Sequence, residues 1–213
     1  MANTLPTDSV AGLFSAAPAN DLPPVPDYNI CPTQAVGVVT ADGARRYRPM
    51  RWGFLPSWYK SPTDGPLLIN ARAETVAEKP AFRAAVRARR CLVPVTGFYE
   101  WHRTKAARLP WFARRADGAP LVLGGIWQDW GPDGRPTFAI VTTAANAAMA
   151  EIHHRLPLVI EREDWGLWLG EEGHGAAVLM KPAGDEVLSL HRVSTAVNSN
   201  RAAGPELIEP FEE

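Results

Sequence analysis

Leu121-Val122-Leu123-Gly124-Gly125-Ile126 and Phe138-Ala139-Ile140-Val141-Thr142, with Asp133-Gly134 between them, form the stretch whose reading decides the fold. Two short apolar runs around an Asp-Gly pair predict antiparallel strands joined by a tight turn, because such turns need positive φ and Asp-Gly tolerates it. The same pattern recurs along the chain. Val36 to Thr40, Leu67 to Asn70, Leu92 to Val95, Pro110 to Ala113 and Leu156 to Ile160 read as further strands, and Asp42-Gly43 and Asp117-Gly118 as further hairpin turns. Helical spacing appears at Ala77 to Arg90, Ala144 to Ile152 and Glu163 to Leu169, the last containing Trp165 and Trp168. Nearer the start, Thr7 to Phe14 places capping residues ahead of apolar positions and predicts a short helix. Residues 17 to 27, carrying Pro18, Pro23, Pro24 and Pro26, predict an extended wrap over the surface.

Helices are too few for a doubly wound parallel sheet, and no Gly-rich phosphate loop follows a strand. The expected fold is therefore α+β, a single compact domain over residues 1–213 with a mostly antiparallel, barrel-like β-sheet and flanking helices. Residues 5–27 supply the helix and wrap, and 28–210 the body. A length of 213 residues with 46% hydrophobic content fills one core better than two small ones. The net charge of −1 excludes a globally basic nucleic-acid binder, so any such surface has to be local. Two local clusters exist, Arg45, Arg46, Arg48 and Arg51, then Arg83, Arg87, Arg89 and Arg90, and by themselves they read as solvated faces. Cys31 and Cys91 lack CxxC spacing, which predicts a reduced, cytoplasmic protein, and no apolar run reaches the roughly 18 residues of a membrane helix.

Four segments place polar residues inside otherwise apolar or strand-like stretches, a conflict that marks functional sites. Arg51 to Lys60 gathers Trp52, Trp58 and Tyr59 around a turn with cations at its edges, a surface suited either to stacking single-stranded bases or to packing as an aromatic corner. In Leu67 to Glu74, Asn70 and Arg72 share one face at period two. Asn70 suits orienting a carbonyl or hydroxyl, or capping the next turn, and Arg72 suits a phosphate. Val95 to Trp101 sets Glu100 between two aromatics, where desolvation would raise its pKa for proton transfer, unless it simply pairs with an arginine. Glu151 to Pro157 offers His153 and His154 as acid or base, or as a surface pair. Zinc is disfavoured, since adjacent histidines tend to point apart and no third ligand stands at suitable spacing.

Taken in order, these segments resemble the SOS-response-associated peptidase family of abasic-site-processing proteins. The matching stretches are Tyr28 to Gln34, Arg51 to Trp58, Ile69 to Glu74, Cys91 to Trp101, Phe138 to Thr143, Ile152 to Pro157 and Val193 to Pro210. The resemblance implies a β-rich domain that binds single-stranded DNA. An amino-terminal cysteine, exposed by self-removal of the initiator Met, then closes a thiazolidine with the ring-opened abasic sugar. It further implies that Asn70 orients the sugar or amine, Glu100 handles protons at the amine, and His153 opens the sugar ring. His153 rather than His154 matches the pattern His, any residue, Arg, apolar, Pro. Arg72, Arg155, Thr142, Trp58 and Tyr59 would line the DNA path. No cofactor or metal is implied, and the partner is abasic single-stranded DNA, bound by a monomer.

The sequence departs from the family at its start, where Met1-Ala2-Asn3-Thr4-Leu5 stands in place of Met-Cys-Gly-Arg-Phe. Without four residues, each spanning at most ~3.6 Å, the first residue is expected to fall short of the pocket by up to ~14 Å. Loss of crosslinking follows, and the alternatives are a noncovalent single-stranded DNA-binding module or a lyase using an amino-terminal amine, that of Ala2 if Met1 is removed. Cys31, a mid-chain thiol, could form only a hemithioacetal, and Cys91 reads as core. A peptidase acting on other proteins gains no support, because no internal Ser or Cys is paired in sequence with a base.

Overall fold

A computed structural model describes residues 1–211. Its strands are β1 (Ala17–Pro18), β2 (Ala35–Asp42), β3 (Ala44–Trp52), β4 (Asn70–Arg72), β5 (Arg90–Val95), β6 (Phe98–Arg103), β7 (Arg108–Arg115), β8 (Leu121–Trp130), β9 (Arg135–Ala144), β10 (Arg155–Pro157) and β11 (Leu188–Arg192). The α-helices are α1 (Thr7–Phe14), α2 (Arg83–Ala88), α3 (Ala147–Ala150) and α4 (Trp165–Leu169), with short 3₁₀ turns between and after them.

The Asp133-Gly134 hairpin joins β8 to β9, and Asp42-Gly43 joins β2 to β3, as the sequence predicts. Strands β3, β2, β5, β8 and β9 are antiparallel neighbours in that order, and β3 returns to β9 in parallel through Arg51–Thr137 and Trp52–Phe138. This last pairing closes a five-stranded barrel and leaves its ring without an open edge. β9 is the seam. One edge of β9 carries β8 and then β10; the other carries β3 and then β4, which pairs in parallel from Asn70–Ile140 to Arg72–Thr142.

Alternation along the strands divides the interior into two cores. Val36, Val38, Met50, Cys91, Val93, Leu123, Phe138 and Ile140 face one core, and Val39, Tyr47, Leu92, Val122, Ala139 and Val141 face the other. The second core lies under α1, α2 and α4, whose Phe14, Ala85 and Trp168 are fully buried. Strands covered on both faces read as near-continuous apolar runs, which is why β8 and β9 are so legible. Each fully buried Val, Leu or Phe contributes roughly 1.5–3 kcal/mol to the closed barrel.

A separate three-stranded sheet, β11-β7-β6, is antiparallel throughout and packs a satellite core of Tyr99, Phe112, Val193, Val197 and Leu207. Here the structure corrects the sequence reading. Asp117-Gly118 is not a hairpin turn, because β7 belongs to this sheet and β8 to the barrel. The chain uses the turn to change sheets. The structure also adds β3, β6 and β11, whose charged residues mask their alternation, and it shortens two of the expected helices to Arg83–Ala88 and Ala147–Ala150. Asn146 caps α3 through its side chain, accepting from the Met149 N–H at 3.0 Å, so that helix cannot begin at Ala144.

The amino terminus is threaded between the two sheets. Ala2 bridges Gly97, with its N–H donating to the Gly97 carbonyl at 3.0 Å and its own carbonyl accepting from Thr96 and Gly97. A Cβ at Gly97 would collide with the Ala113 carbonyl and the Phe112 ring, so only glycine lets β7 lie this close behind the bridge.

Candidate functional site

A cavity of about 660 Å³ opens between the β9 seam and the three-stranded sheet. Four elements around it carry the polar residues singled out by sequence. β4 presents Asn70 and Arg72, exposed on one face, while Ala71 between them is buried. β9 supplies Thr142, directly opposite Arg72 in register. β6 contributes Glu100, and the turn from α3 into β10 contributes His153, His154 and Arg155. Residues more than 80 positions apart thus meet because β4 and β10 take opposite edges of β9.

Glu100 and His153 stand at the centre. Glu100 Oε1 lies 3.7 Å from His153 Nδ1, with about a quarter of the Glu100 side chain exposed. Burial raises the Glu100 pKa, against the opposing pull of His153, the Trp101 backbone N–H, Arg103 and Arg108. The desolvation anticipated from its aromatic neighbours is therefore present. His153 Nδ1 also accepts from the Arg155 backbone N–H at 3.2 Å when the imidazole is neutral, which leaves Nε2 to carry the proton. The His154 ring packs against that of His153 with centroids 4.5 Å apart and a 46° tilt between the planes. The two rings meet at the cavity mouth instead of pointing apart.

The arginines differ in their engagement. Arg155 is locked. Its Nη1 and Nη2 each donate to one Glu74 carboxylate oxygen at 2.8 Å, and Nη2 donates again to the Thr142 carbonyl at 2.6 Å. That pairing holds Glu74 down to about 2. Arg72 makes no ion pair among the described residues and stays exposed, so of the two it is the one available to a phosphate.

Trp58 and Tyr59 lie elsewhere. Trp58, 57% exposed, lines a smaller cleft with Arg89, Gln128 and Asp129, and Tyr59 packs edge-on against it with its hydroxyl toward the Pro66 carbonyl. Trp52, from the same segment, does reach the cavity and donates its indole N–H to the Ile69 carbonyl at 3.1 Å.

Several lining residues escaped the sequence reading. Trp101 holds Asn198 Oδ1 at 2.7 Å and carries the Arg108 guanidinium 4.7 Å above its ring, and Asn200 completes this wall. The cluster Asn198-Ser199-Asn200 was the available signal. Met1 is the larger surprise, for the expected shortfall is not found: Met1 lines the cavity, its amine donating to the Ile30 carbonyl at 2.9 Å and its carbonyl accepting from Ile30. The bridges at Ala2 and Ile30 draw the chain onto the cavity wall. Burial pushes the Met1 amine down to about 5, opposed by Cys31, Asp27 and Glu100. Cys31, half-buried, also faces the cavity, and its thiol donates to the Asn29 carbonyl at 3.3 Å. Ala2, also buried and bonded on both sides, does not line the cavity. Cys91 is core, and burial raises its thiol pKa. No cluster of three or more His, Cys, Asp or Glu side chains able to hold a metal ion occurs among the described residues.

The model of the SOS response associated peptidase (SRAP) family matches residues 1–200. The chain belongs to the SRAP family. It is 34% identical over 192 residues to the abasic site processing protein YoqW of Bacillus subtilis, covering 86% of each chain. With the abasic site processing protein YedK of Escherichia coli it shares 34% identity over 199 residues, 89% of this chain and 87% of that one. Among solved structures, a protein from Bacteroides thetaiotaomicron superposes with a TM-score of 0.75 at 27% identity, over 84% of this chain and 82% of that one. The SRAP fold is thus the closed barrel with its added sheet, and the polar cavity lies where the two join. No helix among the described residues is long and apolar enough to cross a membrane.

Proposed function

We propose that this SRAP protein binds single-stranded DNA at abasic sites and holds the ring-opened sugar aldehyde in the cavity. The observation that carries the reading is the Glu100–His153 pair, 3.7 Å apart, on walls shared with Asn70 and the unpaired Arg72. A ring-opened abasic sugar presents an aldehyde, hydroxyls and flanking phosphates. Asn70 orients the hydroxyls and Arg72 takes a phosphate. His153 Nε2 exchanges a proton with the ring oxygen as the sugar opens, and Glu100, its pKa raised by burial, passes protons at the attacking amine. Trp58 and Tyr59, outside the cavity, offer a stacking face to the strand as it leaves.

In a form carrying Cys-Gly-Arg-Phe ahead of the barrel, an amino-terminal cysteine entering this cavity would close a thiazolidine. Its amine condenses with the aldehyde and expels water; its thiol then adds across the C=N bond and its proton passes to nitrogen. A chain whose first residues are Met1-Ala2 offers no amino-terminal cysteine for that closure. Its Met1 amine supports a second reading, a lyase. Met1 lines the cavity and burial holds its amine near 5; turned from the Ile30 carbonyl into the cavity, that amine would condense with the aldehyde to an imine and expel water, β-elimination would cleave the strand, and hydrolysis would free the amine.

Incubation with an abasic single-stranded oligonucleotide, with and without borohydride, tests both readings on a denaturing gel. A shifted band seen only with borohydride, together with strand cleavage without it, is the expected result for the lyase. Binding without either leaves the noncovalent module. A stable band without borohydride contradicts the assignment of crosslinking to an amino-terminal cysteine, and no preference for abasic over intact DNA sinks the proposed substrate.

A further inference from the structure

We infer that the β6–β7 hairpin is a phosphate grip for one flank of the bound strand, with Arg108 at its root and Arg103 and Lys105 beyond the cavity. The inference rests on the DNA reading above and extends it to the path of the strand.

Between Trp101 and Pro110 the chain reads His102-Arg103-Thr104-Lys105-Ala106-Ala107-Arg108-Leu109, with no carboxylate among them. β6 and β7 pair antiparallel through this segment, and the register sets Arg103 directly opposite Arg108 and Trp101 opposite Pro110. Residues directly opposite share a face, and a period of two puts Trp101 and Arg103 on it together. Like charges directly opposite destabilise a strand pair, whereas a carboxylate at either position would stabilise it. Such a conflict with the local rule marks a surface shaped by something other than the fold. Residues 103–108 are all exposed, and Arg103, Lys105 and Arg108 make no ion pair among the described residues. Glu100, whose carboxylate feels both arginines, is engaged with His153 instead.

The hairpin is preformed at both ends. At its tip, the Thr104 N–H donates to the Ala107 carbonyl at 2.9 Å, and the Thr104 hydroxyl oxygen accepts from the N–H of Ala107 at 2.9 Å and of Ala106 at 3.3 Å. These bonds fix the turn on which Lys105 stands. At its root, the Arg108 guanidinium lies 4.7 Å above the Trp101 ring, whose indole N–H is held by Asn198 Oδ1 at 2.7 Å. A guanidinium stacked on an indole keeps its edge N–H groups free for an anion. Arg108 lines the cavity, while Arg103 and Lys105 do not. A sugar held beside Glu100 and His153 carries a phosphate on each side. Arg72 comes from β4 in the barrel sheet and Arg108 from β7 in the three-stranded sheet, so the two cations meet different flanks. The flank that Arg108 takes then meets Arg103 and Lys105, and a polyanion offers the succession of charges that these three cations match.

The experiment uses the full 213-residue chain and the double variant Arg103→Ala/Lys105→Ala. Single-stranded oligonucleotides carry a tetrahydrofuran abasic analogue at the centre, or within about two nucleotides of the 5′ or the 3′ end, and affinity is measured against salt. The double variant is expected to bind the centred oligonucleotide about tenfold more weakly at low salt. The slope of log affinity against log salt is expected to flatten by about 1.4, two contacts at about 0.7 each. The same loss is expected with one of the two end-placed analogues, and a change within about twofold with the other. Thermal unfolding is an independent readout, since Arg103→Ala removes a like-charge pair and is expected to match or exceed the parent midpoint at low salt. Equal losses with both end-placed analogues overturn the one-sided grip, and an unchanged slope with all three oligonucleotides overturns the phosphate contacts. A lower midpoint for Arg103→Ala overturns the premise, because the pair would then serve the fold. If the parent binds abasic and intact strands equally, the abasic reading fails and the hairpin is judged on the intact strand by the same loss and slope; a parent that binds no strand overturns both.

Discussion

Glu100 carries opposing demands. Its raised pKa means that the folded protein holds the proton more tightly than the unfolded chain. The stability this confers is present below the ordinary carboxylate range and is lost as the pH rises through the folded value. Glu100→Gln removes that loss. The expected outcome is a higher thermal midpoint than the parent at pH 7 and no advantage near pH 4, measured by calorimetry, together with at least a tenfold slower reaction at the abasic aldehyde. The Met1 amine acts in the other direction. Held near 5 instead of 8, it stays neutral in the fold where the unfolded chain is protonated, so stability rises with pH between those values. The difference amounts to roughly 4 kcal/mol at about 1.4 kcal/mol per unit. Acetylating that amine is expected to flatten the rise, and an unaltered pH–stability curve would contradict its burial. His102, His174 and His191 stay outside the cavity, and of the five histidines only His153 and His154 enter it.

Elements explain why some of the site was legible and some was not. The segment holding Asn70 and Arg72 could be read because a strand of three residues still alternates, with Ala71 buried between two exposed side chains. Glu100 was legible through its aromatic flanks. The pairing of Glu74 with Arg155 was not, because no local rule brings residues 81 apart together; it arises from β4 and β10 sharing β9. β3 and β11 escaped notice for a simpler reason. They carry Arg45, Arg46, Arg48 and Arg192, which dilute the apolar alternation, whereas β5 and β8 are largely apolar on both faces. Asp117-Gly118 misled because a turn dipeptide fixes the local bend and not the partner of the strand that follows. At this scale Gly97 is the most demanding position. Gly97→Ala drives a methyl into the Ala113 carbonyl and Phe112, and the expected cost is about 1–3 kcal/mol, read from denaturant unfolding. It should also loosen the Ala2 bridge and withdraw Met1 from the cavity wall, making that amine more basic by titration.

For the whole molecule, the net charge of −1 sets the terms of binding. Several basic side chains near the surface are already committed. Arg45 pairs with Glu171, Arg115 with Asp117 and Glu161, Arg48 with Asp129 and the face of Trp127, and Arg155 with Glu74. Arg72 and Arg108 are the cavity cations outside such pairs, so the strand is expected to lose few counterions on binding. With two phosphate contacts the slope of log affinity against log salt is about −1.4 for a single strand, and a slope steeper than about −4 would place the DNA on another face.

β9 has a consequence beyond architecture. It closes the barrel, pairs with β4 and β10, and carries Thr142, so the strand that completes the core also assembles the cavity floor. In a protein arranged this way, the floor of the cavity shares the stability of the barrel. Asn70, Thr142 and Arg155 come together when the ring shuts and part when it opens, and destabilised variants will lose the binding floor in the same cooperative event that empties the core. The abundance of competent sites in a cell would then track the folded fraction of the protein.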